Sequence, residues 1–529
     1  MPGRLLIAGA LVRTGDPARP SVEAIGLEAD RVAALGSARE VRARLPGARE
    51  IHLPGATLLP GLSDSHGHLL DLGQSLALLD LSGLSDPAQL ASAVAVAAAE
   101  VPEWILGRGW DQNRYPGGAF PDRALLDAAA PGRRVFLERI DGHAALVSSR
   151  VLSDAGLLDI ADPPGGRILR RADGSPTGVL VDAALEPARS LIPAPAPEAL
   201  EQLLLAAAQR CAALGLTCVH DAGLDFDSLE ALERLAARGA LPVRVYAMIR
   251  ATDPRAARVR ALGPRVGERL TLRCAKLFLD GALGSRGAAL FDDYADEPGN
   301  RGLLLCGGEL TLALAAWMRA GFQVALHAIG DRANALALDA LEQSLGSLPE
   351  ADRADRRPRL EHAQVLRPMD LPRLVRLGAV ASMQPTHATS DMGWAGARLG
   401  PQRLRGAYAW RSLLEAGAVL AFGSDFPIET PDPLRGIFAA CARQDAGAGP
   451  VGGFLPEERL TRAQAIAAYT SGPAWAAFDE ARGGRLCEGS RADLSAFSVD
   501  LLDAPASELL SARAVLTVVG GRVVHGPAA

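Results

Sequence analysis

The strongest constraint on how this chain can fold is a repeated alternation of strand-like and helix-like stretches across its middle. Apolar runs rich in β-branched residues are each followed by Ala- and Leu-rich segments of helical character. A parallel strand needs a crossover helix before the next strand, so this rhythm predicts a parallel α/β architecture. Eight runs are found, at Thr57–Leu62, Leu216–Asp221, Pro242–Ile249, Thr271–Phe278, Phe322–His327, Arg359–His362, Ala379–Gln384 and Val419–Ser424. Eight strands close a (β/α)8 barrel, so the fold class is α/β with the barrel spanning residues 56–484. The stretch between the first two runs is too long for a βα loop and carries strands of its own, WILGRG and RVFLERI. An inserted subdomain over residues 84–199, capping the barrel mouth, is expected there.

The two ends of the chain read alike. LLIAGALVRTGD near the start and VLTVVGGRVVHG near the finish are short strands with glycine turns, and AIGLEADRVAALG and RADLSAFSVD add more. Residues 1–55 and 485–529 are therefore expected to pair as one small β-sandwich domain, with the barrel inserted between its halves.

Composition excludes several classes of function. The 55 Lys and Arg against 61 Asp and Glu give a net charge of −6, and the basic residues are scattered, which argues against a nucleic-acid partner. Six cysteines without a CxxC pair suit free thiols and a cytoplasmic setting. The apolar run Leu5–Val12 is short and reads as a strand rather than an export leader, and no stretch approaches the roughly 20 apolar residues of a membrane span. The expected partner is a small-molecule substrate, and assembly as a homodimer is compatible with the sequence.

In such barrels the reactive groups sit at the C-terminal ends of the strands. The first strand runs into DSHGHL, whose His66 and His68 are two residues apart and so point the same way in extended chain. Strand two carries His220, strand four Lys276, strand five His327, strand six His362 and strand eight Asp425. A lone strand-end histidine is commonly a hydrogen-bonded structural residue. Here, however, four of only nine histidines occupy successive ligand positions, and clusters of His and carboxylate at a barrel mouth are what zinc-type chemistry requires.

The segments LLPGLSDSHGHL, GRGWDQNRYP, KLFLDGALGSRGA, HAIGDRA, EHAQ, SMQPTHATSDMGW and GSDFPIETPDPL, in that order, resemble the amidohydrolase superfamily. Within that superfamily the sequence resembles the third amidohydrolase family, the YtcJ-like branch that includes N-substituted formamide deformylases. The resemblance covers nearly the whole chain. It implies two divalent cations, zinc by preference, with His66, His68 and Asp425 on the buried one, His327 and His362 on the more exposed one, and a carboxylated Lys276 bridging them. Read from the residues alone, Lys276 could instead be a buried lysine paired with Asp280 or Asp425, and Cys274, one layer deeper, is core packing.

The implied chemistry is hydrolysis of a non-peptide C–N bond in an amide or N-formyl or N-acyl amine. A hydroxide between two cations is accessible near neutral pH because coordination lowers the pKa of water from about 15.7 to about 7. Asp425 would move its proton to the leaving nitrogen, and His220 or His143 would help stabilise the oxyanion. Trp110, Asp111 and His143 in the insertion, with Arg286 and His387, are substrate-contact candidates. Against this, Trp110 can equally be core, His143 a surface loop residue, and LVSSR stands where relatives commonly have Asn. Lactone, ester or phosphoester cleavage on the same centre is the nearest alternative, and an inactive barrel kept as an interaction scaffold is another.

Overall fold

The structure, a computed structural model, describes residues 3–100, 103–140 and 142–527; the outermost residues of the expected terminal domain, 1–2 and 528–529, lie outside them. The chain forms two compact units, Gln74–Ala199 and the remainder.

The larger unit holds eight parallel strands: β1 (Leu62–Gly67), β2 (Leu216–Leu224), β3 (Arg244–Arg250), β4 (Leu270–Phe278), β5 (Gln323–Ala328), β6 (Arg359–His362), β7 (Val380–Met383) and β8 (Val419–Phe422). Each pairs with its successor in chain order. The ring closes through a bridge between Gly67 and Phe426, beyond the end of β8. Helices follow the strands and bury apolar faces against them. After β2, Asp225 caps the helix Phe226–Ala237 by accepting from the Ser228 N–H at 2.8 Å, and Leu229, Leu232 and Leu235 face inward. The helices thus seal the outer face of the barrel with apolar packing.

The first strand differs from the sequence expectation. Thr57–Pro60 pairs with the terminal strands Arg4–Arg13 and Leu494–Phe497, not with the barrel. The chain crosses to β1 at Gly61, where a Cβ would lie 2.2 Å from the Thr217 hydroxyl. Two short apolar runs separated by a single glycine read as one strand because periodicity registers neither the crossing nor the change of partner.

The terminal segments form one eight-stranded sheet that includes Arg4–Arg13, Ser21–Glu28, Arg31–Gly36, Leu494–Phe497, Ala514–Val519 and Arg522–His525. Ile7, Ile25, Leu58, Leu494 and Leu516 build an apolar cluster on it, while Leu6, Ala24, Val41 and Leu45 build a second with the helix Ala38–Arg44.

The smaller unit is a six-stranded mixed sheet in the order Gly166–Arg170, Pro176–Asp182, Ala144–Val147, Arg134–Arg139, Trp104–Trp110, Leu79–Asp80. Apolar clusters around Leu90, Trp110 and Leu137, and around Phe136, Val151 and Leu180, stabilise it. The six cysteines are free thiols. No helix among the described residues is long and apolar enough to cross a membrane.

Candidate metal centre

The mouth of the barrel is built by a close approach of β1 to the segment after β8. Asp425 N–H donates to the His66 carbonyl at 2.7 Å, and His68 N–H donates to the Phe426 carbonyl at 2.9 Å. A Cβ on Gly67 would meet the Phe426 ring at 2.2 Å, and one on Gly423 would meet the His66 nitrogen at 2.5 Å, so both positions need glycine. Asp64 ties the two segments together. Its carboxylate accepts from Ser424 Oγ at 2.6 Å, Ser424 N at 3.1 Å and His66 N at 3.0 Å. Burial nevertheless pushes its pKa up to about 7.

On this frame His66, His362 and Asp425 offer ligand atoms that lie within 4.8 Å of one another, all buried. His68 Nε2 is 3.0 Å and His66 Nε2 3.4 Å from Asp425 Oδ1, and the His327 and His362 ring centroids are 4.5 Å apart. Lys276 Nζ sits 3.4 Å from His66 Nε2 and, among the described residues, forms no ion pair with a carboxylate. The pairing of Lys276 with Asp280 or Asp425 is therefore not what the geometry displays. Asp280 instead accepts from the backbone N–H groups of Ala289, Ile329 and Gly330.

Two residues of the cluster are held in the left-handed backbone region, His362 at φ 73° and Asp425 at φ 59°. Non-glycine residues adopt it at a cost of order 1–3 kcal/mol, and such strain gathers at functional sites.

Electrostatics favour neutral, ligand-ready imidazoles. Burial, followed by the positive charge of Lys276, brings His66 down to about 4 and His327 down to about 3. Burial, followed by His327, holds His362 well below its ordinary value. His68 moves the other way: burial opposes its charged form, but the hydrogen bond to Asp425 and the negative charge of that carboxylate together outweigh it. Burial opposes ionisation of Asp425, but His66, His68 and His362 keep it well below the usual carboxylate range. Burial also lowers Lys276.

Whether these groups suit a divalent cation can be judged from their free valences. The buried Nε2 atoms of His327 and His387 make no hydrogen bond among the described residues, and each faces a carboxylate oxygen, Asp280 Oδ1 at 3.5 Å and Asp425 Oδ2 at 3.8 Å. His362 Nδ1–H donates to Gln384 Oε1 at 2.8 Å, and His66 Nδ1–H donates to Glu361 Oε2 at 2.6 Å, so both rings present an Nε2 lone pair to the cluster. Neutral imidazoles with one nitrogen anchored and the other free, beside a carboxylate, fit a zinc-type ion.

The remaining candidates are placed otherwise. His220 accepts from Arg359 Nη1 at 2.9 Å and packs on Tyr246, bordering a cavity with Ser63, Thr217 and Arg244 at the N-terminal ends of the strands. It lies toward the barrel floor, with its Nδ1 taken by a guanidinium, and is not an oxyanion donor at the mouth. Arg286 is engaged by Asp296 and Glu297 and anchors its own loop. His387 does join the cluster: its ring stacks on His362 and its Nε2 lies 3.8 Å from Asp425 Oδ2. Asp391, on the same helix, is taken up by Tyr408 and Gln364.

Within the smaller unit Trp110 is fully buried and donates to the Leu137 carbonyl at 2.7 Å. Its indole is core packing and leaves no surface for a substrate. Asp111 pairs with Arg139 and caps a short turn, and His143, 76% exposed, pairs with Asp182.

Sequence reasoning missed Asp64, Arg359, Glu361 and Gln384. Alternation along β6 was the available signal for two of them, since it puts Arg359 and Glu361 on one face.

A parallel barrel carrying this set of imidazoles, carboxylate and lysine at its C-terminal rim defines a metal-dependent hydrolase. The comparisons with known proteins agree. The chain belongs to the Amidohydrolase family, whose model matches residues 49–525. It is similar to Protein LONG AFTER FAR-RED 3 of Arabidopsis thaliana, at 34% identity over 98% of this chain and 91% of that one. The putative amidohydrolase YtcJ of Bacillus subtilis is 33% identical over 95% of this chain and 96% of its own. An N-substituted formamide deformylase of Arthrobacter pascens is 27% identical over 98% and 97%. Among solved structures, an uncharacterized metal-dependent hydrolase from Pyrococcus furiosus superposes with a TM-score of 0.78 at 29% identity, covering 95% of this chain and 100% of that one.

Proposed function

We propose that this protein hydrolyses a non-peptide C–N bond of a small molecule, an amide or an N-formyl or N-acyl amine, with two zinc-type cations held at the barrel mouth. The observation that carries the reading is the convergence of His66, His362 and Asp425 within 4.8 Å. His68 and Lys276 border Asp425 and His66, and His327 borders His362.

His66, His68 and Asp425 would hold the inner cation and His327 and His362 the outer. Lys276, buried, lowered in pKa and without a carboxylate partner, is suited to react with CO2 and become the bridging carbamate. The cations supply, when bound, a Lewis acid for the substrate carbonyl and a water acidified from about 15.7 to about 7.

The chain's own groups complete the reaction. Asp425 takes the proton released as water adds to the carbonyl and hands it to the leaving nitrogen, which departs poorly unless protonated. His387, whose Nε2 is unpartnered among the described residues and faces Asp425, donates a hydrogen bond to the oxygen that gains charge. The likeness to an N-substituted formamide deformylase supports an N-formyl or N-acyl amine as substrate class.

The test is metal analysis of the purified protein followed by a screen of N-formyl and N-acyl amines. Close to two cations per chain, with turnover that is lost to chelators and restored by zinc, is the expected result. A metal-replete protein that cleaves lactones or esters and no amide would refute the C–N assignment.

A further inference from the structure

We infer that the buried Arg359–Glu361 pair is a positioning device for the metal centre, with Glu361 fixing the orientation and tautomer of His66 and Arg359 fixing Glu361. The inference rests on the cation-site reading above. Both side chains are 0% exposed and lie two residues apart on β6, directed into the barrel.

The contacts form a continuous chain. His66 Nδ1–H donates to Glu361 Oε2 at 2.6 Å, and the other Glu361 oxygen accepts from Arg359 Nε at 2.6 Å. Arg359 Nη2 donates to the Ser65 carbonyl at 2.7 Å and to Ser382 Oγ at 3.0 Å, and Nη1 donates to His220 Nδ1 at 2.9 Å. The guanidinium therefore grips strands β1, β2 and β7 from β6. It also holds the carbonyl of the residue immediately before His66. An ionised carboxylate can only accept, so the proton of His66 resides on Nδ1 and its Nε2 lone pair is turned toward Asp425 and Lys276, 3.4 Å from each.

Fold stability alone gives little reason to keep such a pair. Two charges removed from water lose solvation that their attraction only partly restores, and well-packed neutral replacements are often as stable or more so. The pair does what an apolar filling could not: it holds one imidazole rigidly and in one tautomer. Carboxylate partners of ligating histidines act in this way, and their loss typically lowers metal affinity 10–100-fold. His220 acquires a role here too, as the acceptor that orients Arg359 from the barrel floor.

The decisive variant is Arg359→Met with Glu361→Gln, which removes both charges of the pair together. Zinc affinity is measured by competition with a chelator, and melting is followed in the metal-free protein. The expected result is metal-free melting within a few degrees of the parent and zinc affinity weakened about 10–100-fold. Glu361→Asp, which keeps both charges but withdraws the carboxylate by one methylene, should weaken zinc binding in the same sense and decides the matter if the double variant does not fold. Zinc affinity within twofold of the parent in a folded variant would overturn the inference, and so would an affinity loss matched by a collapse of metal-free stability. A parent protein that holds no zinc would instead overturn the cation-site reading itself.

Discussion

Replacing Asp425 with Asn separates its two proposed duties. The amide keeps the shape and one coordinating oxygen, so contacts equivalent to the 3.0 Å approach of His68 and the 3.4 Å approach of His66 remain possible. It removes the negative charge and the basic oxygen near His387 Nε2, now 3.8 Å away. Metal loading should fall modestly, because one anionic donor of the set becomes neutral. Turnover should fall severely, because general acid–base catalysis contributes about 10²–10⁴-fold, or roughly 3–5 kcal/mol of barrier. The loss should depend on the leaving group. An amine must be protonated as it departs, whereas the leaving group of an activated ester need not be. The assay is metal content together with kcat on a matched amide and activated ester, for parent and variant. Equal losses on the two substrates with metal retained would refute the assignment of Asp425 as the proton donor to nitrogen.

Two further outcomes follow from the same geometry. Lys276→Met removes the only amine in the cluster that could become a carbamate, so zinc content should drop from about two per chain toward one and turnover should collapse; two tightly held ions in that variant would show that no lysine bridge is needed. Asp221, fully buried with one backbone donor, Leu69 N–H at 3.1 Å, has its pKa pushed up to about 7 by burial. Its folded value therefore exceeds its unfolded value of about 3.9, the folded state binds the extra proton between the two, and metal-free stability should fall as pH rises across that window, by at most about 4 kcal/mol from this group. Asp221→Asn should flatten that slope in urea titrations run from pH 4 to 8. An unchanged slope would show that the carboxyl is not protonated there.

Much of this protein was legible in the sequence because barrel strands announce themselves locally. Seven of the eight runs coincide with observed strands, and the candidate ligand residues stand at or near strand C-terminal ends, since the outer face of a parallel strand flanked by helices must be apolar and the reactive groups of a barrel gather at its rim. The histidine and aspartate positions followed from that rule together with family resemblance. Tertiary structure decided what local patterns cannot encode. Thr57–Pro60 and Leu62–Gly67 are neighbouring apolar runs, yet one joins the terminal sheet and the other the barrel, a choice made by partners more than a hundred residues away. Alternation along β6 would set His362 on the face opposite Glu361, and only its left-handed backbone turns the ring back into the cluster. His220 looked like a rim residue but belongs to the floor, tethered to a guanidinium on another strand. Arg359, Glu361 and Asp64 drew no attention because a charged residue in a strand reads as exposed until its burial and its partners are seen. Which polar groups face one another across a closed barrel depends on long-range register, and that is fixed only when all eight strands close.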